Sequence, residues 1–472
     1  MKNITLEKTL TLLTAVCILF SISGCEKQPP ETRTEEDARP KMNPPHEHTL
    51  VIISPHNEEI CSEFETAFVK YCKEEYGFDA HVDWLDVGKG SNRILRFIQK
   101  VYDQTKYYGH TDLIGVDILF GGGEYTFQTL EEQGVLETLP LSEEVLADIP
   151  ATFCGMQMYS EDHKWCGNVL GTFGFIYNKE LLQKTGAKTP SRWKDLGCDE
   201  LFNEAVFADP AQSGSMAGAF EMIVQTEPDW QSGWEKLLKI LSNAKKFTDS
   251  SDAAADAPGL DEAAVSICID FYGTTRVSQS PDKLMYVTPV GQAGYTPDPV
   301  GILKNSANRD MADKFVSFLL SIKGQRLWAL PKGHPDGPVN YSLNRIPISR
   351  AYYEKYDADT PEWIARPYAT GTEMMTVDSE MRAVRYGVLA KMVSAAAINN
   401  LGSMQQARKI MIDKGYPQQL TDIFYKLPEN VDTVEEIKTI AEQMKDPEMV
   451  EQISSIWNDF FKSQYEKIIN NE

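Results

Sequence analysis

Residues 116–127 read VDILFGGGEYTF. Five residues suited to a buried strand run into three glycines, and the glycines run into an apolar-periodic segment that predicts a helix to about Gln133. The same order stands twice upstream. Leu50-Val51-Ile52-Ile53 is followed by Ser54-Pro55 and by Ile60, Phe64, Ala67, Phe68 and Tyr71 at helical spacing. Ala80–Leu85 is followed by the turn Gly88-Lys89-Gly90-Ser91 and a helix with Ile94, Phe97, Ile98 and Val101 on one face. Strands alternating with helices predict an α/β fold with mixed, mostly parallel sheets covered on both faces. All three turns then share the C-terminal sheet edge, where helix N-termini point and ligands collect.

Downstream, a second α/β region reads as strand Phe173–Tyr177, helix Lys179–Thr185, strand Ala205–Ala208, a helix from near Ser213, a long helix through Trp234, Leu237, Leu238 and Leu241, and strand Ala264–Ile269. From Met285 strand-like segments return, followed by a helix carrying Ala312, Phe315, Val316, Phe318 and Leu319. A chain that leaves one such unit, builds another and comes back predicts two lobes with a cleft. From about residue 346 the pattern is mainly helical, including Met381–Ile398 and Val450–Ile468, and no short repeat recurs.

Upstream, Lys2 and Lys8 precede an apolar run over 9–23 that ends in Ser23-Gly24-Cys25. The run is too short for a lasting membrane span, and a small pair directly before cysteine is the pattern of a bacterial lipoprotein signal. Cleavage would leave Cys25 diacylated, and two acyl chains hold a protein stably where one does not. Residues 26–48 carry five prolines and ten charged side chains, a composition that cannot bury enough surface to fold. His46, Glu47 and His48 in this tether read as solvated residues rather than metal ligands.

The remaining body is long enough for two or three domains, with 42% apolar residues for their cores. The formal net charge is −23, and loss of Lys2, Lys8 and Glu7 with the signal makes it −24. That acidity argues against nucleic acid as a partner. Six cysteines remain after Cys17 and Cys25. Cys61 and Cys72 share one predicted helix about 16 Å apart, too far to bridge; Cys154 and Cys166 bracket a loop and are the favoured disulfide, with six unpaired thiols as the competing reading. No Cys-x-x-Cys spacing indicates zinc.

Five segments in order, VDILFGGGEYTF at 116–127, LGTFGFIYNKELL at 170–182, PSRWKDL at 190–196, ADPAQSGSMAGAF at 208–220 and DKFVSFLLSIKGQRLW at 313–328, resemble the extracytoplasmic solute-binding proteins of ABC importers, in the type II periplasmic-binding fold and closest to the ferric-ion-binding group. The resemblance covers residues 49 to about 345 and gives the longer C-terminal stretch no role. It implies that Gly171–Asn178 crosses from one lobe to the other, that a second crossing lies near Thr288–Thr296, and that solute binds between lobes closing by hinge motion. The expected layout is a signal at 1–24, a disordered tether at 25–48, lobe 1 at 49–168 and 289–345, lobe 2 at 169–288, and a helical extension at 346–472 packing on the lobes.

The resemblance also supplies site residues. His56 stands where ferric-binding members place a histidine ligand, and Tyr272 matches the second of their paired tyrosines. Phe271 replaces the first tyrosine, and Gly122 stands at the acidic position with Glu124 two residues on. The usual ferric site is thus incomplete, and a modified one from His56, Glu124 and Tyr272 with a bound anion ranks below a metal-free solute. Beside the resemblance, Gly122 and Gly123 let backbone amides approach an anion closely. Ser213-Gly214-Ser215 before a helix can hold a phosphate or carboxylate oxygen, or can simply cap the helix. Asn57 joins the candidates at a helix start, where Glu58 and Glu59 read as dipole partners. Asp270, after an apolar strand, reads as a structural carboxylate or as the partner of a cationic group on a zwitterion.

An enzyme would need a nucleophile or metal. The chain has no Gly-x-Ser-x-Gly, no His-Glu-x-x-His and no Walker-type loop. The expectation is therefore a lipid-anchored, monomeric receptor in the cell envelope, facing the periplasm or exterior, without cofactor. It captures an anionic or zwitterionic solute and delivers it to ABC permease subunits. A surface lipoprotein with a carboxylate-based hydrolase activity or a protein-interaction role is the alternative.

Overall fold

The computed structural model describes residues 48–88, 90–108 and 114–470. The expected signal, the acylated Cys25, His46, Glu47 and Lys89 lie outside the described residues. The chain runs through β1 (Thr49–Ile53), α1 (Glu58–Tyr76), β2 (His81–Leu85), α2 (Ser91–Tyr108), β3 (Ile118–Phe120), α3 (Glu124–Glu132), β4 (Leu136–Glu137), α4 (Glu143–Asp148), the hairpin β5 (Thr152–Phe153) and β6 (Met156–Gln157), and β7 (Cys166–Gly171). It then enters β8 (Phe173–Asn178), α5 (Lys179–Thr185), β9 (Ala205–Ala208), α6 (Gly214–Gln225), α7 (Trp230–Leu241), β10 (Ala244–Thr248), α8 (Ser251–Asp256), β11 (Val265–Ile269), α9 (Asp270–Gln279) and β12 (Leu284–Val287). It returns through β13 (Thr296–Leu303), α10 (Arg309–Leu320), α11 (Ile322–Ala329) and β14 (Ile346–Pro347). The helices α12 (Arg350–Tyr356), α13 (Ser379–Val393), α14 (Leu401–Asp413), α15 (Gln418–Phe424), α16 (Val434–Gln443) and α17 (Pro447–Asn470) follow, with a π-helical turn at Ser394–Ile398 after α13.

Two sheets result. The first has the order β14-β7-β13-β3-β1-β2, with β4 also on β13, and the second has the order β10-β9-β11-β8-β12. Parallel pairing is confined to β1 with β2 and β3, and to β9 with β10 and β11. The strands that leave or re-enter a lobe run the other way, so β13, β7, β14, β8 and β12 pair antiparallel and the sheets are mixed. The first crossing is abrupt. Gly171 ends β7 in the first sheet, Phe173 starts β8 in the second, and only Thr172 lies between; its hydroxyl donates to the Gly294 carbonyl of the return crossing at 3.1 Å.

Local chemistry fixes the parts that matter to the cleft. Asn57 is extended and its side chain accepts from Ile60 N–H, which starts α1, while Ile60, Phe64, Phe68 and Cys72 form the buried stripe beneath it. Gly121, Gly122 and Gly123 all have positive φ (84°, 118° and 75°), a run that only glycine adopts without strain. A Cβ on Gly121 would lie 2.5 Å from the His56 ring. Gly121→Ala is therefore expected to lower stability by about 2–4 kcal/mol, from left-handed strain plus overpacking. Urea unfolding checks it, and an unchanged midpoint would contradict the placement of His56.

The thiols correct one expectation. Cys61, Cys72, Cys154, Cys166, Cys198 and Cys268 are all free. Cys166 is buried within β7, whereas Cys154 sits in the turn of the β5–β6 hairpin, whose backbone carbonyl accepts from Val377 N–H at 2.8 Å. The two are held by different neighbours and do not meet.

The extension packs mainly against the second sheet's lobe. The Trp234 and Phe461 rings lie 5.7 Å apart, Gln405 donates to the Ala244 carbonyl, and α13 lies along α6. Among the described residues no helix is long and apolar enough to cross a membrane.

Candidate functional site

The two lobes touch on either side of a cavity of about 120 Å³. Between the lobes Asn92 on α2 donates to the Pro210 and Ala211 carbonyls at 3.2 and 3.4 Å, and Arg96 donates to Gln212 Oε1 at 3.3 Å. His56, Asn57, Gly122, Gly123 and Glu124 line the cavity from the first lobe, and Ser213, Gly214, Ser215 and Tyr272 from the second. Nine of the ten residues named from sequence thus converge, because each follows a strand at the same sheet edge.

Their neighbours change what they can do. Asp298, on β13 between two prolines, accepts from Gly122 N–H at 2.8 Å and Gly123 N–H at 3.2 Å. The glycine amides expected to hold a ligand anion are therefore already occupied by the protein's own carboxylate. Asp298 also lies 3.0 Å from His56 Nε2 and 2.7 Å from an Arg345 nitrogen. Burial alone would raise the Asp298 carboxyl, but the Arg345 charge and the hydrogen bonds from His56 and Arg345 outweigh it and hold it well below the usual carboxylate range. Burial lowers the His56 ring below its ordinary value, so the imidazole is neutral.

Arg345 is fully buried. Its guanidinium lies 4.3 Å from the Phe271 ring centroid and 5.3 Å from that of Trp328, and its NH1 donates to Asp298 and lies 3.0 Å from His56 Nε2. Its Nε and NH2 have no partner. A second buried arginine comes from the extension. Arg382 on α13 ion-pairs with Glu124 of the first lobe, and its Nε is likewise unpartnered. One turn on, Tyr386 stacks on Tyr125 at 4.0 Å and donates to the Gly214 carbonyl at 3.1 Å. Burial lowers the Arg382 pKa to about 10, which leaves it charged at neutral pH.

Facing these cations is the start of α6. Ser213 is its N-cap, accepting from Met216 N–H, and its hydroxyl lies 2.6 Å from that of Ser251; Ser215 donates to Ser251 at 2.9 Å. Capping and cleft lining are thus both true of Ser213. Tyr272 sits on α9 with the Arg276 guanidinium 5.4 Å from its ring, and burial raises its pKa, so it remains a phenol. Among the described residues no group of three or more His, Cys, Asp or Glu side chains is placed to hold a metal ion. His56, Glu124 and Tyr272 are each engaged by an arginine or by Asp298 rather than presented as a free donor set.

Asp270 is the exception among the ten. It begins α9 and faces away from the cleft into a second cavity, because its neighbours Ile269 and Phe271 take the cleft side. Burial raises its pKa to about 7, offset in part by the Arg345 charge. A carboxyl raised in the fold holds a proton that the unfolded chain has already lost, so stability falls as pH rises from about 4 to about 7. Asp270→Asn is expected to flatten that slope and to melt higher than the native chain at pH 8, by up to a few kcal/mol at about 1.4 per pKa unit. Melts at pH 5 and pH 8 check it.

Sequence reading missed Asp298, Arg345, Arg382 and Tyr386. Two of them carried a signal: Asp298 is the lone charge in TPDPVGIL, and Arg345 the lone charge before IPI. Isolated charges in apolar runs are buried only when partnered.

The model of the family described as bacterial extracellular solute-binding protein matches residues 115–356. An uncharacterized protein of Haemophilus influenzae is 27% identical over 254 residues, 51% of this chain and 71% of that one. The phosphoglycerate transport regulatory protein PgtC of Salmonella typhimurium is 28% identical over 157 residues, 33% of this chain, and the match spans only 38% of PgtC. Among solved structures, the periplasmic binding protein AfuA from Actinobacillus pleuropneumoniae, with exogenous fructose-6-phosphate bound, superposes with a TM-score of 0.59 at 20% identity, over 73% of this chain and 97% of AfuA. Iron-bound HitA from Pseudomonas aeruginosa gives 0.55 at 16% identity, over 73% and 99%. These likenesses establish the two-lobed fold. With the family match running from the strand before the glycine turn to the end of α12, the chain belongs to the bacterial extracellular solute-binding proteins, which are transport components and not enzymes.

Proposed function

We propose that the chain captures a small organic anion, with a phosphorylated metabolite as the preferred class, in the interlobe cavity and delivers it to an ABC permease. The carrying observation is Arg345, a buried guanidinium at the cavity with Nε and NH2 unpaired. Buried donors left without an acceptor are costly, and a phosphate or carboxylate oxygen is the acceptor such a fork fits. Arg382 adds a second cation, and the α6 N-terminus with the Ser213, Ser215 and Ser251 hydroxyls supplies neutral donors. PgtC and AfuA, whose names and ligands concern phosphorylated compounds, support the same class.

A ferric ion is the weaker reading. Two arginines beside the donors oppose a trivalent cation, and Phe271 gives it no oxygen. A zwitterion loses the partner assigned to it, because Asp270 lines the other cavity. The lobe boundaries at 169, 289 and 346 and the anchoring at Cys25 belong to this reading. An anchored receptor keeps captured solute near its permease.

Calorimetric titration of the refolded, ligand-free protein with 3-phosphoglycerate, fructose-6-phosphate, inorganic phosphate and ferric citrate tests the solute class. Saturable binding of a phosphorylated compound is the expected result, and binding of ferric citrate alone would overturn it. Cys25→Ser should move the protein from the membrane to the soluble envelope fraction.

A further inference from the structure

A second cavity, of about 570 Å³, lies on the far side of the wall that closes the cleft. The wall is made of segments whose successive residues line opposite sides, through extended chain at 171–173 and 344–346 and through the strand-to-helix junction at 269–271. Gly171 and Phe173 face the cleft while Thr172 faces the second cavity. Ile269 and Phe271 face the cleft while Asp270 faces the second cavity, and Asn344 and Arg345 divide in the same manner. Thr172 and Thr288 in its lining belong to the two crossings, so the cavity sits against the hinge.

Its chemistry differs from that of the cleft. Val277, Met285, Ile346 and Ile364 make the walls largely apolar, and Trp363, 57% exposed, stands at the mouth. Asp270 is 6% exposed, and its Oδ1 has no hydrogen-bond partner. A buried carboxylate oxygen without a donor is a costly arrangement, the buried Tyr286 hydroxyl in the same lining also lacks a partner, and a concave, mostly apolar site with a few convergent polar groups is the usual form of a small-molecule pocket. No lysine or arginine lines this cavity to fill the vacancy; Arg345 lines the cleft. What the site lacks is a compact cationic donor on an apolar body.

We propose that this second cavity binds a small monoamine carrying an aromatic or aliphatic group, its ammonium donating to Asp270 Oδ1 and its apolar part lying against Met285, Ile346 and Trp363. The site is independent of the solute in the cleft and stands or falls apart from it.

The probe is phenethylamine, titrated into the full-length protein at pH 8 with tryptophan fluorescence and calorimetry as readouts. Saturable heat is expected, with an emission change that the Trp363→Phe chain loses. 2-Phenylethanol, which has the same shape without the ammonium, should bind at least tenfold more weakly, because a charge-assisted bond contributes about 1.5–3 kcal/mol. Asp270→Asn, which removes the charge but keeps the shape, should weaken phenethylamine by a similar factor. Equal affinity for the amine and the alcohol, undiminished binding by the Asn variant, or no saturable heat with the native chain would each overturn the proposal. The alcohol comparison needs no variant, so a misfolded substitution cannot hide the answer.

Discussion

Arg345→Met is expected to weaken capture of the anionic solute by at least a hundredfold and to destabilise the protein in the same step. The binding loss follows from removing two free nitrogens whose N–H groups a phosphate would accept from; hydrogen bonds to charged groups contribute about 1.5–3 kcal/mol each, and each 1.4 kcal/mol is tenfold. The stability loss follows from Asp298. Its carboxylate is 15% exposed and held ionised chiefly by Arg345, and stripping one partner from a fully buried pair costs about 3–5 kcal/mol, an upper bound here. Methionine preserves bulk against Phe271 and Trp328, so packing loss does not confound the result. Arg345→Lys separates the two effects. An ammonium can still satisfy Asp298 but cannot offer the planar fork, so melting should stay closer to native while affinity falls. Native affinity in both variants would remove Arg345 from the site.

The fold was legible because its signals are local. Strand, turn and helix followed one another at 50–71, 80–101 and 116–133, and each turn was marked by proline or glycine. Candidate residues converge for the same reason, since a strand end announces its loop. The polarity of single side chains was not legible in that way. Asp270, after an apolar strand, reads as a structural carboxylate or as a ligand partner, yet it opens a helix and lines the second cavity. The sequence predicts Gly122 and Gly123 as ligand donors, but their acceptor, Asp298, lies about 175 residues on in sequence. No local pattern links them. The sequence predicts the extension only as a cover for the lobes, and nothing local in α13 shows that Arg382 and Tyr386 complete the cavity.

Glu124→Gln distinguishes the anion from the metal. Glu124 and Arg382 are both nearly fully buried and form an ion pair across the cleft, one from each side. An anionic solute entering between Arg345 and Arg382 meets the Glu124 carboxylate as a like charge. At roughly 6 Å and an effective dielectric of about 20, that repulsion is about 3 kcal/mol per unit charge on the solute. Glutamine keeps the shape and an acceptor for Arg382 while removing the repulsion, so affinity for 3-phosphoglycerate or a sugar phosphate should rise by tenfold or more. The ligand-free variant should melt lower, because Arg382 loses its counter-charge, and saturating solute should restore the difference. Arg382→Ala should act in the opposite direction on affinity. A ferric site reverses the expectation: there Glu124 would be an anionic oxygen donor, and its neutralisation would weaken binding. Calorimetry on the native chain and these two variants therefore reads the sign directly, and a weaker complex with Glu124→Gln would sink the anion reading.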